Sequence, residues 1–418
     1  MRRICALAVM FFAVGCSSHP GAVPAPITIS PHIFQKHPLT TGWITTNIPK
    51  ISGQSAAPNG ITQDKNHKVW VSAASFDGTV GAIAKIAMDQ HVTLYPISVV
   101  PNAIAFGSDQ NLWVSTNHGV VARVTPSGSE TDYIVAPSNT SVADIMPGPD
   151  GALWYIECSS PTAGGIGTIT TSGTQTFYST GCEQVLASGP DGNIWFGNAA
   201  TISKMTPQGV LVGQYTVGDN YFAGITSGSD GALYLLGGPP NNAPDELIKV
   251  TTAGIVTHIG SEPHLEALRG IINGPDGNLW ISAVGSVRHL ITYDLATHEY
   301  GDTRIKSPAF GPNMIVGPDS NIWMLDRQRT GVYTFVYAAM TLAPRPVTVH
   351  VGHTATLNVS ETNYAGRWTA FVSQPSIASV TLNSKNGAFV VTGVSSGTTR
   401  ITVYDSMFNS ADVKVTVF

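Results

Sequence analysis

Residues 189–196 read Gly-Pro-Asp-Gly-Asn-Ile-Trp-Phe, a tight-turn tetrad followed by an apolar, aromatic-centred strand. Gly and Asp supply the backbone conformations that such a turn requires. The same phrase recurs as GSDQNLWV from 107, GPDGALWY from 148, GSDGALYL from 228, GPDGNLWI from 274 and GPDSNIWM from 317. A degenerate copy, QDKNHKVWV, begins at Gln63. The aromatic anchors Trp70, Trp113, Trp154, Trp195, Tyr234, Trp280 and Trp323 are spaced by 43, 41, 41, 39, 46 and 43 residues. Seven units of this period fit four-stranded blades arranged in a ring.

One repeat, read outward, supplies the four strands. Pro101-Asn102-Ala103-Ile104-Ala105-Phe106 is a short apolar strand beside the central channel, and LWVST, GVVARVTP and ETDYIV follow as the second, third and fourth. Each is short, alternating or fully apolar, and bounded by turn residues, with no helical periodicity. After Trp323 only Val332 to Tyr337 remains for the seventh repeat, while an orphan strand, Trp43 to Lys50, precedes the first. The N-terminal strand is therefore expected to complete the last blade and remove the exposed edges. The propeller spans residues 43–338.

From 341 to 418 the phrase stops. VTVHVGHTATLNV, ASVTL, AFVVTGV, TTRITVYD and ADVKVTVF are five alternating strands, with Asn386-Gly387 as a hairpin turn and Trp368 as a core residue. A small β-sandwich is expected, and VTGVSSGTTRITVYD resembles bacterial Ig-like domains. The fold class is all-β: a seven-bladed β-propeller followed by a small Ig-like β-sandwich.

Composition agrees. Charged residues make up 11% of the chain, against roughly 25% in ordinary soluble proteins. The net charge is −5 and no run of Lys and Arg exists, which excludes a nucleic-acid partner. Met1-Arg2-Arg3 followed by the apolar stretch Ile4 to Gly15 reads as a secretory signal, too short to span a membrane. Ala13-Val14-Gly15-Cys16 resembles the lipobox of bacterial lipoproteins, with Ala13 where Leu is usual. That resemblance implies a signal peptide over 1–15, diacylation of Cys16 and membrane attachment through lipid, and Ser17 implies outer-membrane sorting. An ordinary signal cleaved near Ala22-Val23-Pro24-Ala25 is the alternative. Residues 16–42 hold five prolines and read as a tether. The expected address is the cell envelope, as a periplasm-facing or outer-membrane lipoprotein.

Cys158 follows the second strand of the third blade and Cys182 precedes the first strand of the fourth. Alternating strand direction puts both loops at the same end of adjacent blades, so a disulfide is expected in an oxidising compartment.

The repeats, with P-N-x-I stretches, GPDGNIWF-like turns and segments related to K-I-x-x-x-T-P-x-G, resemble the virginiamycin B (streptogramin B) lyases over residues 43–338. The resemblance implies magnesium-assisted opening of a cyclic depsipeptide by elimination, with histidines and glutamates from adjacent blades at one end of the ring. Here the His slot holds Asn59, Asn102, Ala143, Gln184, Ala223, Arg269 and Asn313. The Glu slot holds Ala73, Thr116, Glu157, Asn198, Gly237, Ala283 and Asp326. Glu157 matches, and Glu262-Pro263-His264 reproduces a Glu-Pro-His triplet five residues ahead of its expected position. Glu157, Glu262 and His264 are thus the catalytic candidates, and His118 and His264 the metal candidates. Asp245-Glu246-Leu247-Ile248 is expected to be plain blade surface.

These losses favour a binding module over an enzyme. The expected ligand face carries Asn59, Asn102, Glu157, Glu183, Arg269, Asn313 and Asp326, a mixture suited to a polar or sugar-like ligand or a protein partner. No cofactor is expected, magnesium entering only if lyase chemistry survives, and the chain is expected to be a monomer. The alternative is a divergent lyase or a metal-dependent hydrolase.

Overall fold

The computed structural model describes residues 43–418 apart from 88–89, 199, 239–244, 261–266, 285–287, 306–312, 319–320, 327–329, 336–339, 362–367, 384–387 and 405–409. Every regular element among the described residues is a β-strand. Two compact units divide them, one containing Thr45–Pro318 and Ile322–Thr334, the other Phe335–Phe418.

The first unit holds seven four-stranded antiparallel sheets among the described residues. Six follow sequence order, as in Val185–Ser188, Ile194–Asn198, Thr201–Met205 and Leu211–Thr216, the fourth blade. In the seventh, Met314–Val316, Ile322–Asp326 and Gly331–Phe335 are completed by Trp43–Asn47 from the other end of the chain. A hydrogen bond from Ile48 N to Thr330 O, 2.6 Å, extends that seam. The core lies between consecutive blades: Val185, Ala187, Trp195 and Ile202 of the fourth pack with Phe222, Ile225, Leu233 and Ile248 of the fifth.

The repeated phrase is built for this packing. Its Asp accepts the indole N–H four residues on: Asp109 from Trp113 at 3.1 Å, Asp150 from Trp154 at 3.1 Å, Asp191 from Trp195 at 3.0 Å and Asp276 from Trp280 at 2.9 Å. In the fifth blade, Tyr234 donates its hydroxyl proton to Asp230 at 2.9 Å. A cation from the third strand completes the motif. Lys204 lies 5.2 Å above the Trp195 ring and 3.3 Å from Asp191, and Arg123 and Lys249 repeat the arrangement. The first glycine of the phrase is required by contact, because a Cβ at Gly189 would collide with the Trp195 indole. Gly192, at φ +73°, occupies the left-handed conformation that closes the turn. The phrase is turn and core chemistry.

Among the described residues, the second unit contains two four-stranded sheets. One orders Met340–Ala343, Thr354–Glu361, Ala388–Gly393 and Ala378–Asn383, the other Val347–Val349, Ser410–Val417, Gly397–Tyr404 and Thr369–Val372. The single long strand expected over VTVHVGHTATLNV is therefore two strands in different sheets. Gly352 takes φ +74° between them, and Val347–Val349 pairs parallel to Ser410–Val417. Leu357, Phe389, Ile401 and Val413 fill the core, with Trp368 partly buried against it. The Asn386-Gly387 turn lies outside the described residues.

Candidate functional site

Each blade brings the start of its first strand and the end of its second to one end of the ring, opposite the Gly-Pro-Asp-Gly turns. Amide side chains at that end lace the innermost strands together. Asn59 Nδ2 donates to Pro101 O at 2.8 Å, and Asn102 Nδ2 donates to Val142 O at 3.2 Å and to Asn117 Oδ1. Gln184 Oε1 accepts from Phe222 N at 2.8 Å. Asn313 Nδ2 donates to Asn59 O, carrying the lacing from the seventh blade to the first. Four of these five bonds join one blade to the next, and the Asn102–Asn117 bond lies within the second blade.

Asp245 does the same work between the fifth and sixth blades. One carboxylate oxygen accepts from Leu268 N at 2.8 Å and the other from the Tyr221 hydroxyl. It is buried, which corrects its assignment to plain surface.

The expected ligand face thus divides in two. Asn102, Asn313 and Asp326 are buried, Asp326 completely so, and the amides of Asn59, Asn102 and Asn313 face neighbouring blades. Glu157 and Arg269 are half-buried and open to solvent. Glu157 and Glu183 flank the disulfide, which joins Cys158 to Cys182 with the Cα atoms 5.0 Å apart. Its closure of a 24-residue separation contributes about 3 kcal/mol in a chain-entropy account. Burial raises the Glu157 carboxyl. Glu183 is 7% exposed, and burial pushes its carboxyl up to about 7, with Thr180 pulling weakly the other way.

None of the seven positions assigned to the His slot carries a histidine. Asn59, Asn102, Gln184 and Asn313 are engaged with backbone, Ala143 and Ala223 have no donor, and Arg269 is a cation. Glu262 and His264 lie outside the described residues, as does Cys16. His118 is exposed and joins no cluster of metal-ligating side chains among the described residues.

One such cluster does occur at this end. Asp219, Glu246 and His258 each bring a ligating atom within 4.8 Å of the others. Sequence reading missed it because the three residues come from three elements and share no motif spacing.

Seven radial four-stranded sheets define the chain as a seven-bladed β-propeller with a β-sandwich attached. The profile of the Virginiamycin B lyase family matches residues 97–329, and the chain belongs to that family. The profile of the pilus formation protein N terminal region matches residues 343–417. No curated protein matches the chain. Among solved structures, a catalytically inactive His-to-Ala variant of virginiamycin B lyase from Staphylococcus aureus, crystallised with quinupristin, is 21% identical. It aligns over 71% of this chain and 99% of its own, with a TM-score of 0.59. A streptogramin B lyase is 20% identical over 70% and 97%, also at 0.59. The extracellular domain of a putative hybrid two-component system from B. thetaiotaomicron is 14% identical and covers 87% of this chain and 55% of its own, at 0.54.

Proposed function

We propose that this member of the lyase family is an envelope-anchored binding module that keeps the scaffold and not the elimination chemistry. The observation that carries the reading is the engagement of the slot amides. Asn59, Asn102, Gln184 and Asn313 spend on the neighbouring blade the hydrogen bonds that catalytic or metal-holding groups would keep free. Glu157 and Arg269, both half-buried at that end, are the residues expected to contact a polar or sugar-like ligand or a protein partner. The disulfide holds the Glu157 sector in place.

Incubation with quinupristin and magnesium, followed by mass spectrometry, tests the reading. The expected result is intact cyclic substrate. Magnesium-dependent linearisation, abolished by His264→Ala, favours instead a divergent lyase using the Glu262-Pro263-His264 triplet.

The anchor belongs to the same proposal. Cys16 carries lipid, and residues 17–42 tether the propeller to the envelope, with the C-terminal sandwich as a contact to other envelope components. Cys16→Ser is expected to move the protein from the membrane fraction to the soluble fraction. Unchanged fractionation identifies an ordinary cleaved signal.

A further inference from the structure

The fifth blade carries a charge arrangement that the lacing of the ring does not use. Asp219 precedes the first strand of that blade, Glu246 opens the third and His258 lies within the fourth. His258 Nδ1 is 2.8 Å from Glu246 Oε1. Asp219 is 5% exposed, and its buried Oδ2 has no hydrogen-bond partner. Gly237 makes this placement possible, because a Cβ there would collide with that same oxygen. Gly237 occupies a Glu slot of the repeat, so the blade gives up a side chain and admits the Asp219 carboxylate in its place.

Asp219 and Glu246 bring two carboxylates to this corner, with the His258 imidazole beside them. Asp245 is already committed to Leu268 N and the Tyr221 hydroxyl, so it supports the site from behind. A buried carboxylate with a bare oxygen, beside a second carboxylate, is costly without a cation to face.

We propose that Asp219, Glu246 and His258 form a binding site for a divalent transition-metal cation of the zinc or manganese class. Two carboxylates and one imidazole are a mixed oxygen and nitrogen donor set, which suits these ions better than magnesium or calcium. With three protein ligands, the ion keeps positions open toward solvent, as catalytic and ligand-presenting metal sites do. The site lies at one end of the fifth blade, with Asp219 in the space that Gly237 leaves at its Glu slot, and is independent of whether the ring binds or cleaves.

The test uses the purified full chain stripped with chelator and titrated by calorimetry with zinc chloride and, separately, manganese chloride. The expected result is one ion per chain, with affinity falling at least tenfold in Asp219→Asn and in His258→Ala. Glu246→Gln, close in shape to the native side chain, reads the site should either of those variants fail to fold. His353→Ala, in the second unit, is expected to leave the affinity unchanged. A crystal grown with zinc should show anomalous signal between the three side chains. Absence of uptake of both ions, or zinc and manganese affinity unaltered by Glu246→Gln, overturns the assignment. A crystal whose only anomalous signal lies at other histidines overturns it equally.

Discussion

Trp195→Ala is expected to destabilise the propeller by about 3–5 kcal/mol, measured as a shift in the denaturation midpoint. Several contacts disappear together. The side chain is fully buried and packs with Val185 and Ile202 of its own blade and Ile225 and Leu233 of the next. Its indole N–H satisfies Asp191, its face receives Lys204, and its ring stacks on Tyr215 with centroids 5.8 Å apart. Removal leaves a cavity between blades and deprives Asp191 of one of its donors. Because both neighbouring blades lean on the same ring, the loss cannot be absorbed by one sheet closing up. Trp195→Phe keeps most of the volume and loses the hydrogen bond, so it should cost clearly less. Equal losses in the two variants would show that packing at this site contributes little.

Glu183 should make stability depend on pH in the direction opposite to a salt-bridged acid. Its ordinary value is 4.5, and burial raises it to about 7 in the folded chain. Between those values the folded protein holds a proton that the unfolded chain has released. The contribution is therefore fully present below 4.5, declines as pH rises through that window, and is lost above about 7. The span corresponds to about 3 kcal/mol. Glu183→Gln, neutral at every pH, should match the native protein near pH 4.5 and exceed its stability at pH 8 by an amount of that order. Urea denaturation at the two pH values reads this directly. A difference that is the same at both would remove the titration of Glu183 from the account.

The two residues also show how unevenly the chain can be read. Trp195 and Asp191 are four positions apart, and the interaction between them closes within one turn. The phrase therefore exposes its own chemistry wherever it recurs, and the period of the phrase counts the blades. Strand pairing across the seam was legible for a similar reason: one repeat lacks a strand and the chain has one to spare.

The end of the ring is different. The positions of Asn59, Asn102 and Asn313 follow from the repeat, but an amide can serve a ligand or a backbone equally well, and only the distance to the next blade decides. The Asp219, Glu246 and His258 cluster was not legible at all. Its members meet through the register of Glu246 against Gly237 and the absence of a side chain at Gly237, and neither appears as a pattern in one dimension. The long first strand expected in the sandwich failed on a local signal, because the alternation of apolar residues continues through Gly352 while the backbone turns there.

The seam of the seventh blade bears on how the protein comes to be made. Trp43–Asn47 is synthesised ahead of every blade, yet its partner Gly331–Phe335 emerges only after the other six are complete. Until then the first and sixth blades each lack a neighbour on one side, and the waiting strand offers an unpaired edge to any passing chain. Closing the circle joins residues from opposite ends of the ring sequence, which is the slowest kind of contact for a polypeptide to find. The last step of assembly is thus a search made by a five-residue strand, and the time that search takes sets how long the open ring is at risk of aggregation.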